Sequence, residues 1–498
     1  MTTRSEPNDK ERVIRTACSS HCGGRCLLRI HVKGGVITRI ETDNGEEPQL
    51  RACLRCRAYR QRVYDPERLK FPMKRTGERG EGKFERISWD EALDTIASEL
   101  NRVRSTYGPS AVLYLASGGD VTRLHHHNLF GGLLAMTGGC TARWGSQSHE
   151  GGLFASMATY GTLSSVSDYD DLLNSRIVIL WGLDPTNTIH GTNTSWYLLQ
   201  AKESGTRIIS VDARHTDSTA TLASQWIPII PGTDTAMLIA MAYVIITQNL
   251  HDQAFLDSYT VGFDQFKDYV LGVEDGIPKT PSWAEGITGV PADTITNLAR
   301  EYATIRPAAL IAGIGPGRTA YGEQYHRAAH TLAAMTGNIG IHGGWAGRSS
   351  AANVVFGGFD FKVGGLPRSD NPVESGIPPR PGSLATVKGS DNSARIHFSE
   401  VPDAILEGRA GGYPADLKML MVISANPVNQ YPNTNKMVRA LKELEFITIA
   451  EQAMTATARF ADILLPVSTY MERNDITVGG APPVYGYVNK IIEPLYES

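Results

Sequence analysis

Three cysteines stand in one short stretch, TACSSHCGGRC, at Cys18, Cys22 and Cys26, and Cys53 follows in RACLRCR. Six cysteines in 498 residues are too few for a disulfide scaffold, and their clustering points to a metal. Zinc sites usually close with two C-x2-4-C knuckles. Here three thiols come from one compact loop and the fourth arrives alone, which suits an iron–sulfur cubane, with one thiolate per iron corner, better than zinc. Gly23 and Gly24 let the loop fold tightly around a bulky cluster. Cys56 lies three residues after Cys53 and is a rival fourth ligand. Cys140 is isolated and reads as a core thiol. Arg51, Arg55, Arg57, Arg60 and Arg62 crowd around Cys53. They form either a solvated basic face or a set of charges that eases electron addition to an anionic cluster or holds phosphates.

The elements that must position these groups alternate strand, turn and helix. FERISWDEALDTIASELNRVRSTYG reads as a strand end, a Ser88 cap and an amphipathic helix. SAVLYLASGG, RIVILWGLDP, RIISVDARHTD and PAALIAGIGPGR are short strands running into turns. QWIPIIPGTDTAMLIAMAYVIITQNL is a strand, a Pro-Gly-Thr-Asp turn and a long helix capped by Thr233 or Asp234. This alternation predicts a parallel α/β sheet. Residues 346–400 are rich in Gly, Pro and Ser and read as loop.

The pattern then recurs. LMVISANPVNQ ends in Asn426-Pro427, as the earlier strand ends in Asp184-Pro185. EFITIAEQ ends in Glu451 where the first copy has Asp212, and TATARFADILLP matches TATLASQWIPI. Nearly the same spacing separates Pro185 from Pro228 and Pro427 from Pro466. One nucleotide-binding unit used twice explains this; so does an α/β core duplicated without a ligand. Ligands of open α/β sheets sit beyond the carboxyl ends of the strands, where a carboxylate after the second strand commonly holds a ribose or guanine donor. No G-x-G-x-x-G follows a first strand and no Walker lysine is present, which argues against NAD and ATP.

Composition narrows the partners. With 41% hydrophobic and 20% charged residues and a net charge of −4, the chain gives no general case for nucleic-acid binding. The longest apolar run, Ala236 to Thr247, falls short of the ~20 residues that span a bilayer, so no direct membrane insertion is expected. MTTRSEPNDKERVIRT carries no export signal, which places the chain as written in the cytoplasm.

A cubane loop with two nucleotide units resembles the molybdopterin oxidoreductases of the dimethyl sulfoxide reductase family. The nearest likeness is to the catalytic subunits of its membrane-associated, iron–sulfur-containing anaerobic reductases. TACSSHCGGRC resembles the family's cluster loop, and RACLRCR its fourth-ligand segment, C-L-R-G-R. That match makes Cys18, Cys22, Cys26 and Cys53 the 4Fe–4S ligands, puts Cys56 where the family has glycine, and puts Arg57 between cluster and pterin. VYDPERLKFPMKRTGERGEGKFERISWDEA, WGLDPTNT, VDARHTD, IPIIPGTDTA, GIGPGR, MTGNIGIHGG, ANPVNQ and ADILLP are also similar to family stretches.

The resemblance implies one molybdenum, with tungsten the alternative, between two molybdopterin guanine dinucleotides. Gly182, Asp184, Asp212, Arg214, Pro231, Gly232, Thr233, Asp234, Gly315, Gly317 and Arg318 would line one, with Asp234 on the guanine. Asn426, Asn429, Thr455 and Thr457 would line the other. The metal's protein ligand is expected in TGGCTARWGSQSHEGG, at Ser148, with Ser146 and Cys140 as alternatives. Gln147 replaces a family tyrosine thought to face substrate, and His149 is a second departure; both put dimethyl sulfoxide itself in question. His125, His126 and His127 read as a polar loop or helix or as funnel lining, and His190 and Trp144 as core or pocket.

The implied layout is a 4Fe–4S domain over 12–75, a discontinuous α/β domain over 76–170 and 346–498, and an inserted α/β domain over 171–345. The C-terminal cap domain of the family has no counterpart, so the chain is expected to be a fragment or half of a split gene, inactive alone. The implied activity is that of a reductase subunit that takes an oxygen atom from an S-oxide, N-oxide or oxyanion in anaerobic respiration. A ferredoxin-like subunit would feed it electrons, and a membrane anchor subunit would hold both. The rivals are a hydratase or dehydroxylase on the same scaffold, and a metal-free electron-transfer subunit like the large iron–sulfur subunit of respiratory complex I.

Overall fold

The computed structural model describes residues 10–20, 22, 24–42, 50–116, 122–125, 127–162, 165, 167–189, 191, 193–345, 347, 373, 395–478 and 485–498. The chain opens as an antiparallel sheet of β1 (Arg12–Ala17), β2 (Leu27–Lys33) and β3 (Val36–Thr42). Ala17 pairs with Leu27, so the cysteine loop is the connection between the first two strands. Leu28, Ile30, Val32, Ile37 and Ile40 form the buried face, alternating as a pleated strand requires, and pack with Val63 of the helix Leu54–Val63.

β4 (Met73–Arg75) and β5 (Phe84–Arg86) follow as a hairpin. Ser88 then starts the helix Trp89–Tyr107, its Oγ accepting the Glu91 N–H at 3.1 Å. β6 (Val112–Ala116) and β7 (Thr141–Trp144) run parallel to each other.

The chain next builds a separate parallel sheet from β8 (Ile177–Trp181), β9 (Arg207–Val211), β10 (Gln225–Ile227) and β11 (Ala308–Ala312), in the order β10-β9-β8-β11. Every residue of β8 and β11 is buried. Sheets covered on both faces need such continuous apolar runs rather than alternation. The helices Asp234–Thr247, Ala292–Thr304 and Gly322–Met335 supply much of the covering core.

β12 (Arg395–His397), β13 (Met419–Ile423), β14 (Phe446–Glu451) and β15 (Ile463–Pro466) then return to the earlier strands. The result is an eight-stranded sheet in the order β12-β7-β6-β13-β14-β15-β4-β5. β13 sits between β6 and β14, with Met419 paired to both Val112 and Phe446. β16 (Asp475–Val478) and β17 (Tyr485–Val488) form a closing antiparallel ribbon. The fold is mixed α/β: a small N-terminal sheet bearing the cysteines, a four-stranded parallel sheet, and an eight-stranded sheet that is parallel except at its β4–β5 edge.

The chain divides into two compact units. One runs to Gln147 and resumes after residue 356; the other begins at Ser148 and runs to residue 356. The expected boundaries differ in two respects. The inserted unit starts at Ser148 rather than 171, because the helix Glu150–Tyr160 packs on Gly322–Met335. Their approach is so close that a Cβ on Gly151 would stand 2.7 Å from the Gly317 carbonyl. The cysteine-bearing sheet shares a compact unit with the eight-stranded sheet, since Tyr470, Met471 and Val488 complete its core. Most of the Gly/Pro/Ser-rich stretch lies outside the described residues.

Candidate functional site

Five of the six cysteines converge. Cys18, Cys22, Cys26 and Cys56 are buried and Cys53 is half-buried, and none of the six is in a disulfide. The Cys18 N–H donates to the Cys26 carbonyl at 2.8 Å, which closes the loop. Cys53 is the N-cap of the helix Leu54–Val63, and Cys56 lies in its first turn. The Cys56 thiol stands 3.6 Å from Cys18 Sγ and 3.8 Å from Cys53 Sγ. Donation from Cys56 lowers both Cys18 and Cys53 against the opposing effect of burial. Cys56, the donor to both, is pushed up. Burial, reinforced by the nearby Cys18 sulfur, raises Cys22 to about 11. Among the described residues no group of three or more His, Cys, Asp or Glu side chains is arranged for a single metal ion. Thiols gathered from one loop and one helix turn are instead the donor chemistry of an iron–sulfur cluster.

Cys140 is no part of this group. It is buried in the sheet core with Val112 and Leu134.

A crevice of about 580 Å³ lies beside the cysteine loop, beyond the carboxyl ends of β13 and β14. Ser19 and Ser20 of the loop line it, as do Arg55, Arg62, Asn426, Glu451 and Gln452. Tyr470 lines it too, stacks 4.4 Å from Tyr59, and donates its hydroxyl to Cys18 Sγ at 3.8 Å. Tyr470 therefore stands between Cys18 and the crevice. Arg57 is exposed and does not line it; two positions along a helix turn the side chain to the other face, and Arg55 takes the place expected for Arg57.

Asn426 lines the crevice, but its Oδ1 also accepts from the backbone N–H of Thr457 at 3.3 Å and from the Thr457 hydroxyl. Thr457 is buried, and Thr455 Oγ1 accepts the Ala458 N–H at 3.1 Å. These two threonines shape the turn and do not line the crevice, and Asn429 is exposed outside it. His125 lines the crevice and bonds Asp475 at 2.8 Å. Burial alone would raise Asp475; His125 and three backbone N–H groups outweigh it and hold the carboxyl well below its usual range. His126 and His190 lie outside the described residues, and Trp144 packs 4.5 Å from His397.

The second unit carries its own crevice, of about 310 Å³, beyond β8, β9 and β11. Gly182, Asp184, Asp212, Arg214, Pro231, Gly232, Asp234, Gly315 and Arg318 all line it; Thr233 and Gly317 do not. Strand order reverses between β8 and β11, and open α/β sheets bind ligands at such a switch. Two of its three carboxylates are engaged from within. Asp234 Oδ1 accepts the Trp181 indole at 2.8 Å, and Asp184 accepts from Ser218, Thr186 and Asn187. Asp212 is half-buried and its carboxylate accepts the Arg214 backbone N–H at 2.9 Å, which makes it better placed for a ligand than Asp234. Thr233 caps no N–H; its hydroxyl donates to the Ile230 carbonyl at 2.6 Å.

Ser148 is exposed in the turn before the helix Glu150–Tyr160, and its carbonyl accepts Arg318 Nε at 2.8 Å. His149 is buried, its ring edge-on to His326 at 5.2 Å. Ser146 is half-buried in the other unit.

A parallel α/β chain with crevices at strand carboxyl ends and a buried thiol group is, by class, a redox protein built for an iron–sulfur cluster and a nucleotide-bearing cofactor. Residues 68–498 match the molybdopterin oxidoreductase family model, and residues 11–65 match that of the molybdopterin oxidoreductase Fe4S4 domain. The chain belongs to the molybdopterin oxidoreductase family. These two domains are the ones that carry a 4Fe–4S cluster and a molybdenum–molybdopterin cofactor. The chain is 39% identical to dimethyl sulfoxide reductase DmsA of Escherichia coli (strain K12), matching over 98% of its own length and 62% of that protein's. It is 34% identical to the dimethyl sulfoxide/trimethylamine N-oxide reductase of Rhodobacter capsulatus, over 88% of this chain and 56% of that one. Among solved structures, acetylene hydratase from Pelobacter acetylenicus shares the fold, with a TM-score of 0.74 at 23% identity over 97% of this chain and 67% of that one.

Proposed function

We propose that the chain is the catalytic subunit of a reductase that holds molybdenum, or tungsten, between two molybdopterin guanine dinucleotides. It removes an oxygen atom from an S-oxide, N-oxide or oxyanion during anaerobic respiration. The observation that carries this reading is the 39% identity to a dimethyl sulfoxide reductase across 98% of the chain, a span that includes the cysteine loop and both crevices. Partners of the expected kind, a ferredoxin-like subunit and a membrane anchor, belong to the same proposal. No helix among the described residues is long and apolar enough to cross a membrane.

Each residue group then has a task. Cys18, Cys22, Cys26 and Cys53 hold the cluster. Arg55 and Arg62 meet phosphate charge in the first crevice, where Asn426, Glu451 and Gln452 offer polar contacts. Asp212, Arg214 and the Pro231-Gly232 turn serve the second dinucleotide. Ser148 is the protein ligand to the metal, a hard oxygen donor suited to oxo transfer. When bound, the cofactor supplies the two-electron oxo-transfer chemistry; the oxygen leaves as water with two protons. Gln147 in place of the family tyrosine favours a substrate other than dimethyl sulfoxide.

Metal and pterin analysis of the purified protein, followed by a viologen-coupled screen of S-oxides, N-oxides and oxyanions, tests this. Turnover of one class supports the reading. A metal-loaded protein that hydrates or dehydroxylates and reduces none of them replaces it with the hydratase reading, and a chain without metal or pterin sinks both. Ser148→Ala should lose at least about 100-fold in activity with an unchanged cluster spectrum. Retained activity removes Ser148 from the metal.

A further inference from the structure

A cubane offers four iron corners, each taking one thiolate. This chain gathers five thiols around one point, so one of them has no corner. Three are fixed by the loop, which β1 and β2 clamp at Ala17–Leu27 and the Cys18–Cys26 backbone bond closes. The surplus therefore lies between Cys53 and Cys56.

Both sit at the start of one helix, Cys53 as N-cap and Cys56 in the first turn. Residues three apart on a helix share a face, so both thiols address the same side of the loop. Cys56 stands on the inner side, fully buried and 3.6 Å from Cys18 Sγ. Cys53 stands on the outer side, half-buried and 3.8 Å from Cys56 Sγ. A sulfur this close to two ligands stands where the inorganic core must go. It either turns aside when the cluster is present or takes an iron itself, and glycine, which the resembling family segment carries there, does neither.

We propose that the fourth corner of the cluster has two alternative ligands, Cys53 and Cys56, so that losing one thiol does not lose the cluster. The inference rests on the 4Fe–4S reading of the cysteine loop. The exchange balances simply: one iron–sulfur bond breaks and one forms, the incoming thiol's proton passes to the outgoing thiolate, and no electron is transferred. The outer position of Cys53 makes it the ligand that solvent-borne oxidants and alkylating agents meet first. Cys56, buried behind it, then keeps the cluster at four irons.

The test compares the purified, cluster-loaded chain with Cys53→Ala, Cys56→Ala and the double variant, reading iron and acid-labile sulfide per chain and the electron paramagnetic resonance of the reduced cluster. Alanine is used because a serine oxygen can itself bind iron. Each single variant should keep about four irons, with Cys53→Ala showing an altered signal, and the double variant should fall to about three or none. If Cys53→Ala alone falls to three irons while Cys56→Ala stays normal, Cys53 is the sole fourth ligand and the proposal is wrong; the reverse result overturns it equally. If Cys53→Ala fails to fold by circular dichroism, brief alkylation of the wild-type loaded chain decides. Iron retained on chains carrying modified Cys53 supports the exchange, and iron lost in step with that modification defeats it. A wild-type chain that takes up no iron sinks the cluster reading itself, a distinct failure.

Discussion

The two crevices share a plan and differ in substance. Each opens where a buried parallel strand ends, and each strand is followed at once by a residue in the left-handed region: Gly182 after β8, with φ of 57°, and Ser424 after β13, with φ of 55°. Around Gly182 the walls are backbone. A Cβ on Gly182 would meet Pro316 Cδ at 2.4 Å, and one on Gly313 would meet the Gly182 carbonyl at 2.0 Å. Around Ser424 the walls are side chains, chiefly Arg55, Arg62, Arg473, Tyr59 and Tyr470. The Gly182 crevice carries three aspartates against two arginines; the Ser424 crevice carries three arginines against Asp65 and Glu451, with the cysteine loop at its back. The two crevices share the turn and differ in charge. The arginine-lined crevice is the one suited to receive electrons from a cluster.

That contrast can be attacked where it is strongest. Gly182→Ser copies the other crevice's residue into the tight one. It should cost about 3 kcal/mol, because Pro316 cannot yield without moving the β11 turn, and lower the melting temperature by roughly 3 °C. A scanning-calorimetry melt within a degree of wild type would show that the backbone wall is soft.

Charge comes next. Arg55→Glu should reduce retention of bound guanine nucleotide about tenfold, measured as nucleotide released per chain on denaturation, whereas Arg57→Glu should stay within about twofold. Equal losses would mean that helix phase does not choose between them.

The smallest effect is the reciprocal swap. Ser424→Gly removes the strain of a left-handed residue where no glycine-tight wall exists, and should raise stability by up to about 1 kcal/mol in urea unfolding. A loss of stability there would mean that the serine side chain contributes more than its backbone costs.

Much of this was legible in the sequence because it is local. The cysteine loop, the strand ends at Asp184, Asp212 and Glu451, and the Ser88 cap are patterns of a few neighbouring residues. What was not legible depends on partners far along the chain. Trp181 ties up Asp234, and Asp475 engages His125, across gaps no periodicity reports. The Tyr59–Tyr470 stack behind Cys18 is of the same kind. Arg55 was within reach: once Cys53 is taken as an N-cap, helical phase puts Arg55 and Arg57 on different faces. Thr455 and Thr457 match a ligand-binding motif, yet their hydroxyls serve the turn itself.

The pairing of Val112 with Met419 has a consequence in time. β6 leaves the ribosome roughly 300 residues before the strand that flanks it, a wait of ~15–60 s at about 5–20 residues per second. During that interval the whole of the intervening unit emerges and can close on its own sheet, while β6 keeps one edge unpaired. The cradle beside the cysteine loop thus exists only after β13 docks. Ribosome-stalled chains ending before Met419 should show residues 148–345 resistant to protease and β6 readily cut; equal resistance of both would mean that β6 finds another partner while it waits.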